Sequence, residues 1–118
     1  MMDDVEGNPN DPPEIRQLSA SELKSMMDTG ASFELVDVRT EDERAVAAID
    51  GARLLDKAYH DYLLGLDRDR PMVFQCHHGI RSQSAAEYFL QHGFRNLYNL
   101  RGGIDDWSRH VDPSVTRY

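Results

Sequence analysis

The stretch PMVFQCHHGIRSQSAAEYFLQHG, residues 71–93, places an apolar run, a sharp turn and an amphipathic helix in immediate succession. Residues 71–76 read as a buried strand, apolar on both faces, with Pro71 at its start where a missing N–H does little harm. Residues 81–93 read as a helix, with Ala85, Phe89 and Leu90 on one side and Gly93 as its stop. Across the junction of the two run the chain's one cysteine, Cys76, and then His77, His78, Gly79, Ile80, Arg81 and Ser82.

Working outward, the same alternation continues in both directions. Ile15 and Leu18 belong to a short strand. Ser19-x-x-Glu22 is a capping-box pattern that opens a helix striped with Leu23, Met26 and Met27 and stopped by Gly30. FELVDV (33–38) is an interior strand, and Thr40 caps a helix over EDERAVAAI that ends before Gly51. ARLL (52–55) is a short strand, and residues 57–66 have helical spacing at Tyr59, Tyr62, Leu63 and Leu66, a face turned to the core. NLYNL (96–100) is a last strand, followed by a short helix from GGIDDWSRH, in which Trp107 serves core packing. Strands and helices taken in turn predict an α/β fold with a mostly parallel sheet and helices on both faces. Ligands of such sheets bind beyond the carboxyl ends of the strands, where both Asp37 and Cys76 stand.

Bulk properties narrow the classes. With 118 residues the chain suits one domain, and it is long enough for a core without metal or disulfide staples. Residues 1–13 are Asp-, Asn- and Pro-rich and read as a disordered acidic tail, leaving 14–118 as the domain. The net charge is −8; five acidic residues and no Lys or Arg lie in the first fourteen positions, so the rest carries −3. An acidic chain without a basic stripe is a poor partner for nucleic acid or anionic lipid. No apolar run reaches the ~18 residues of a membrane span, and the first twenty residues show no secretory pattern. One unpaired cysteine fits a reducing compartment, so a cytoplasmic location is expected.

The turn itself carries the chemistry. Gly79 supplies the backbone freedom needed to reverse the chain in a few residues. If the loop curls around the Cys76 sulfur, its N–H groups from His77 to Ser82 point inward as an anion-binding nest. The positive end of the following helix reinforces them. A thiol so placed ionises more readily than a free one, and Arg81 suits a planar, permanently charged clamp for an oxyanion. Three readings of Cys76 compete: buried core thiol, metal ligand with His77 and His78, and nucleophile. Adjacent residues of a tight turn rarely converge on one ion, so no metal and no cofactor is expected. Asp37 and Arg39 read as an ion pair bracing the loop, with Glu43 as a further member.

CHHGIRS resembles the active loop of the rhodanese family, C-x-x-G-x-R-[SA]. LVDVRTEDER resembles the family's D-x-R…E segment, IDGA its I-P-G-A, and HGFRNLYNLRGGIDDW its glycine-rich tail ending in Trp. Four blocks in the expected order, from Phe33 to Trp107, make the likeness specific. AAIDGA departs from the usual G-H-I-P-G-A at Ala47, Ala48 and Asp50, which concerns the shape of that turn rather than the nucleophile.

The resemblance implies a five-stranded parallel sheet and Cys76 as a sulfur carrier. It implies a sulfurtransferase that takes sulfur from a small anionic donor such as thiosulfate as a Cys76 persulfide. The sulfur then passes to cyanide, a thiol or a protein acceptor. Arg81 would hold the donor's sulfonate, and His77, His78, Gly79, Ile80 and Ser82 would supply the ring of N–H groups, with Ser82 capping the helix or closing the cradle. Two alternatives stand beside it. Cysteine phosphatases use a similar cradle with one residue more between Cys and Arg; the shorter ring here is too tight for phosphate but takes one extra sulfur. A protein-interaction or persulfide-relay module would have the same fold with little turnover of free substrate.

Overall fold

The structure, a computed structural model, describes residues 13–118; the tail read over 1–13 lies outside them but for Pro13. Ten elements alternate as expected: β1 (Ile15–Leu18), α1 (Ala20–Asp28), β2 (Glu34–Asp37), α2 (Glu41–Val46), β3 (Arg53–Leu54), α3 (Lys57–Leu64), β4 (Met72–Gln75), α4 (Ile80–Gln91), β5 (Leu97–Leu100) and α5 (Gly103–His110). They build one five-stranded sheet in the order β1-β5-β4-β2-β3. Every pairing is parallel, so the mostly parallel expectation is met in full.

The strands' two-residue period divides the core between the sheet faces. On one face Leu35 and Val73 pack with Leu23 of α1 and with Ile104 and Trp107 of α5. On the other, Val36, Met72 and Phe74 pack with Tyr59 and Leu63 of α3 and Ala86 and Phe89 of α4. Phe89 sits between Phe74 and Phe94 at ring separations of 5.4 and 5.7 Å, and each fully buried ring contributes about 1.5–3 kcal/mol. Met72–Gln75 is buried throughout, the mark of a central strand with helices on both sides.

Local signals behave as read at α1 and α2. Ser19 with Glu22, and Thr40 with Glu43, each close a reciprocal capping box. Two readings need correction. The helix expected through Ile49 ends at Val46, because Ala47 is extended and its carbonyl is held by Arg39 Nη2 at 2.7 Å. Tyr62, read as core-facing, is 51% exposed and only stacks on its buried neighbour Tyr59. No helix among the described residues is long and apolar enough to cross a membrane.

Candidate active site

Because all strands are parallel, Asp37, Gln75 and Leu100 end at the same edge of the sheet, with Cys76 just beyond the central one. The chain then turns through His77 and His78 to Gly79, whose φ of 99° lies in the left-handed region, and α4 begins at Ile80. Its N-cap residue, Gly79, has no side chain to cap it; the Cys76 sulfur takes that place. It accepts from the N–H of Gly79 at 3.1 Å and from the N–H of Ser82 in the first turn at 3.4 Å. The sulfur is thus aimed at the turn's nitrogens, while the residue is only 1% exposed. Burial works against ionisation. The Ser82 hydroxyl, to the extent that its proton turns to the sulfur, and the N–H groups of Ser82, Gly79 and His78 outweigh it and bring the thiol below its ordinary value.

What turns the nitrogens inward is the anchoring of the carbonyls outward. The first turn of α5 has N–H groups without helical partners. Ile104 N–H donates to the Cys76 carbonyl at 2.8 Å, and Asp105 N–H donates to that of His77 at 3.2 Å. On the β5 side, Asn99 Nδ2 donates to the Gly79 carbonyl at 3.1 Å. Approach this close requires glycine at 103, where a Cβ would stand 2.3 Å from the His77 oxygen. The Arg-Gly-Gly tail motif therefore belongs to the cradle, although it lies 27 residues beyond the cysteine at Gly103.

Ser82 does not cap the helix. Its Oγ is buried, 3.2 Å from the Cys76 sulfur, and donates to Asn99 Oδ1 at 2.6 Å. Ile80 stands 77% exposed beside the loop. The two histidines are not equivalent: His78 is exposed, whereas His77 is sandwiched between the His78 and Tyr118 rings, each centroid 3.9 Å away. Ligand atoms of His77, His78 and Asp105 lie within 4.8 Å of one another. The histidine rings are only 26° from parallel, so their in-plane lone pairs run side by side, and Asp105 is engaged by Arg117 Nε at 3.0 Å. This is a stacked surface rather than a convergent ligand set.

Arg81 lies at the mouth, its guanidinium gripped by both Glu43 oxygens at 2.7 and 2.9 Å. Arg81 holds the Glu43 carboxyl far below the usual range, and Glu43 in turn raises the Arg81 value further. Glu43 therefore pairs with Arg81 rather than joining the Asp37–Arg39 pair through its carboxylate. Tyr118, unnoticed in the sequence, donates to Glu43 Oε2 at 2.8 Å and accepts from Arg39 Nη1 at 3.1 Å.

Beneath this mouth, Arg39 makes a two-pronged contact with Asp37, Nε to Oδ1 at 2.9 Å and Nη2 to Oδ2 at 2.8 Å, with both side chains wholly buried. Arg44 adds a bond to Asp37 and another to the Ala52 carbonyl. Between them the two arginines hold the Ala47–Ala52 turn, where the sequence departs from the rhodanese pattern. Burial would raise the Asp37 carboxyl; the bonds from Arg39 and Arg44 outweigh it and hold it below its usual 3.8. A depressed folded value stabilises the fold fully above about 3.8 and loses that contribution as the pH falls through it. Arg39→Ala is expected to cost about 3 kcal/mol, since it removes the main partner of a buried charge. Urea unfolding at neutral pH reads the loss, which shrinks on acidification below pH 3.8.

Comparison with known proteins gives the family and the fold. The family described as Rhodanese-like domain matches residues 19–110. Thiosulfate sulfurtransferase GlpE of Pseudomonas aeruginosa is 37% identical over 103 residues, covering 86% of this chain and 91% of its own. The GlpE of Shewanella oneidensis is 38% identical over 94 residues, covering 79% and 92%. The crystal structure of a rhodanese-like domain protein from Staphylococcus aureus superposes with a TM-score of 0.70 at 26% identity, covering 88% of this chain and 99% of that one. With the family match spanning most of the chain and the Cys76 loop folded as a cradle of N–H groups, this protein belongs to the rhodanese-like domain family.

Proposed function

We propose that the protein is a thiosulfate sulfurtransferase working through a Cys76 persulfide, with residues 14–118 as its working domain in the cytoplasm. The Cys76 thiolate attacks the outer sulfur of thiosulfate; the S–S bond of the donor breaks and sulfite leaves with its electron pair. The enzyme then holds Cys76–S–S⁻. A cyanide, thiol or protein acceptor attacks the terminal sulfur and returns the Cys76 thiolate. Covalent catalysis of this kind replaces one difficult transfer by two easier ones. The observation that carries the reading is the pair of N–H groups, from Gly79 and Ser82, aimed at the sulfur. Donors fixed in place before charge arrives stabilise an anionic sulfur without reorganising.

Intact-protein mass measurement after mixing with thiosulfate tests it. A gain of one sulfur, removed by cyanide or thiol, is the expected result; no gain would overturn it. Two observations favour a second reading, a relay that receives sulfur from another protein: Cys76 is buried and Arg81 is already engaged by Glu43. A mass gain from a protein persulfide but none from thiosulfate would select the relay.

Arg81 is the residue we assign to the donor's sulfonate, and thiosulfate must then compete with Glu43 for it. Glu43→Gln keeps a capping side chain for α2 but removes the competing charge. The expected outcome is a KM for thiosulfate about fivefold lower with kcat little changed, the scale of a partly exposed ion pair. Steady-state kinetics at fixed ionic strength check this.

A further inference from the structure

The Ser82 hydroxyl has one proton and two neighbours able to take it, the Cys76 sulfur and Asn99 Oδ1. The other contacts of Asn99 decide which end of its amide faces the serine. Its Nδ2 donates to the Gly79 carbonyl at 3.1 Å and to Gln17 Oε1 at 2.9 Å. A carbonyl oxygen only accepts, so the amide NH₂ must lie on that side and Oδ1 must point at Ser82. Gln17 is itself oriented by its Nε2, which donates to Gln83 Oε1 at 2.8 Å. The 2.6 Å contact between two oxygens then requires the serine proton.

While Cys76 carries its own proton, the chain of donors runs from the thiol to Ser82 Oγ and on to Asn99, and every group is satisfied. When the thiol ionises, the sulfur becomes the stronger acceptor. The hydroxyl can turn to it only by leaving Asn99, which is 3% exposed and would keep a buried acceptor without that donor. The backbone N–H groups face no such choice, because they point at the sulfur in either state.

We propose that Asn99 is a positioning residue for the sulfur chemistry: it holds the Ser82 proton away from Cys76 and keeps the hydroxyl from being a standing donor to an anionic sulfur. Its catalytic meaning rests on the sulfur-transfer reading, since the inner sulfur of a persulfide occupies the same place between the same groups. The titratable and charged groups on the surrounding elements are His77 and His78 in the loop, Arg81 on α4 with its partner Glu43 on α2, Asp37 at the end of β2 and Arg39 after it, Tyr118 against His77, and Arg101 and Asp105 around the β5–α5 turn. None of them changes in the experiment that follows.

A double-mutant cycle tests the competition. The thiolate absorbance is followed against pH, with Cys76→Ala as the blank, in the unchanged protein, Asn99→Leu, Ser82→Ala and the double variant. With one cysteine in the chain, the signal belongs to Cys76. Asn99→Leu frees the hydroxyl, so the thiol is expected to ionise about one pH unit lower relative to the same change made in the Ser82→Ala background. Asn99→Leu also cuts the tether to the Gly79 carbonyl, but that loss is common to both backgrounds and cancels. Equal shifts in the two backgrounds, or a coupling of opposite sign, would overturn the proposal. Asn99→Ala run through the same cycle keeps the test available if leucine overfills the site. No sulfur donor is used, so an enzyme that fails to gain sulfur from thiosulfate would refute the functional reading while leaving this cycle to be judged separately.

Discussion

Cys76→Ser is expected to lower thiosulfate turnover at least about 10⁴-fold while leaving the fold in place. Serine offers an acceptor to the same N–H groups of Gly79 and Ser82, so the loop keeps the bonds that shape it. The hydroxyl fails as a nucleophile because its proton is held far more tightly than that of a thiol, and the cradle favours an anion only by a limited amount. An oxygen in this place also has no persulfide to form. Steady-state turnover and intact mass check the outcome together: no thiocyanate formed with cyanide, and no added sulfur. Thermal unfolding close to that of the unchanged protein shows that the loss is chemical. Turnover near the native rate would remove Cys76 from its assigned role, and no other cysteine is available to replace it.

Gly103→Ala is expected to damage both stability and the thiol, although residue 103 never contacts the sulfur. Its φ of 63° already disfavours any L side chain. A Cβ would stand 2.3 Å from the His77 oxygen and 2.6 Å from the Cys76 oxygen, both backbone atoms that cannot rotate away. Relief requires α5 to withdraw from the loop, which breaks the bonds from Ile104 and Asp105 that tie those two carbonyls outward. Left-handed strain and overpacking together amount to about 2–5 kcal/mol, a large share of the stability of a small domain. Once its carbonyls are loose, the loop no longer presents its N–H groups to the sulfur. The thiol should then ionise at higher pH, back toward the free value of about 8.5. Urea unfolding and thiolate titration measure the two effects separately. A destabilised protein with an unchanged thiol would show that α5 supports the fold but not the cradle. Gly79→Ala attacks the same loop from the other side, its Cβ 2.2 Å from the Arg101 carbonyl.

These two positions differ in how visible they were before folding. Cys76, Gly79 and Arg81 lie within six residues, between a run of apolar side chains and a helical pattern. Their neighbourhood could be read along the chain. Along the chain Gly103 is one of a glycine pair that opens a helix and belongs to the tail that resembles the family's, with no sign of what it touches. Its contact with the carbonyl of His77, 26 residues earlier, depends on β4 and β5 lying side by side. Asn99 looked like one residue of a strand for the same reason. Position alone leaves Ser82 either capping the helix or closing the cradle; the buried Asn99 oxygen claims its hydroxyl and leaves no cap.

Glu43 shows the two levels in one residue. Its partnership with Thr40 is a three-residue relation and follows from the capping box alone. Its carboxylate meets Arg81 38 residues away, and Tyr118 75 residues away, only because α2 and α4 rise from adjacent strands, β2 and β4. The early end of α2 belongs to the same level: residues 41–49 are helical in pattern, yet Arg39, pinned to Asp37, draws the Ala47 carbonyl away.

By itself the sequence determined the ten alternating elements, the one sheet edge shared by Asp37 and Cys76, and the tight glycine turn between Cys76 and a helix, because caps, apolar periods and tight turns are set by neighbours a few residues apart. The tertiary structure alone decided that Glu43 restrains Arg81, that α5 and Asn99 hold the loop's carbonyls outward, and that Tyr118 covers His77. Those contacts join strand ends and helix starts that become neighbours only through the order β1-β5-β4-β2-β3, and no local pattern encodes a meeting between residues so far apart in the chain.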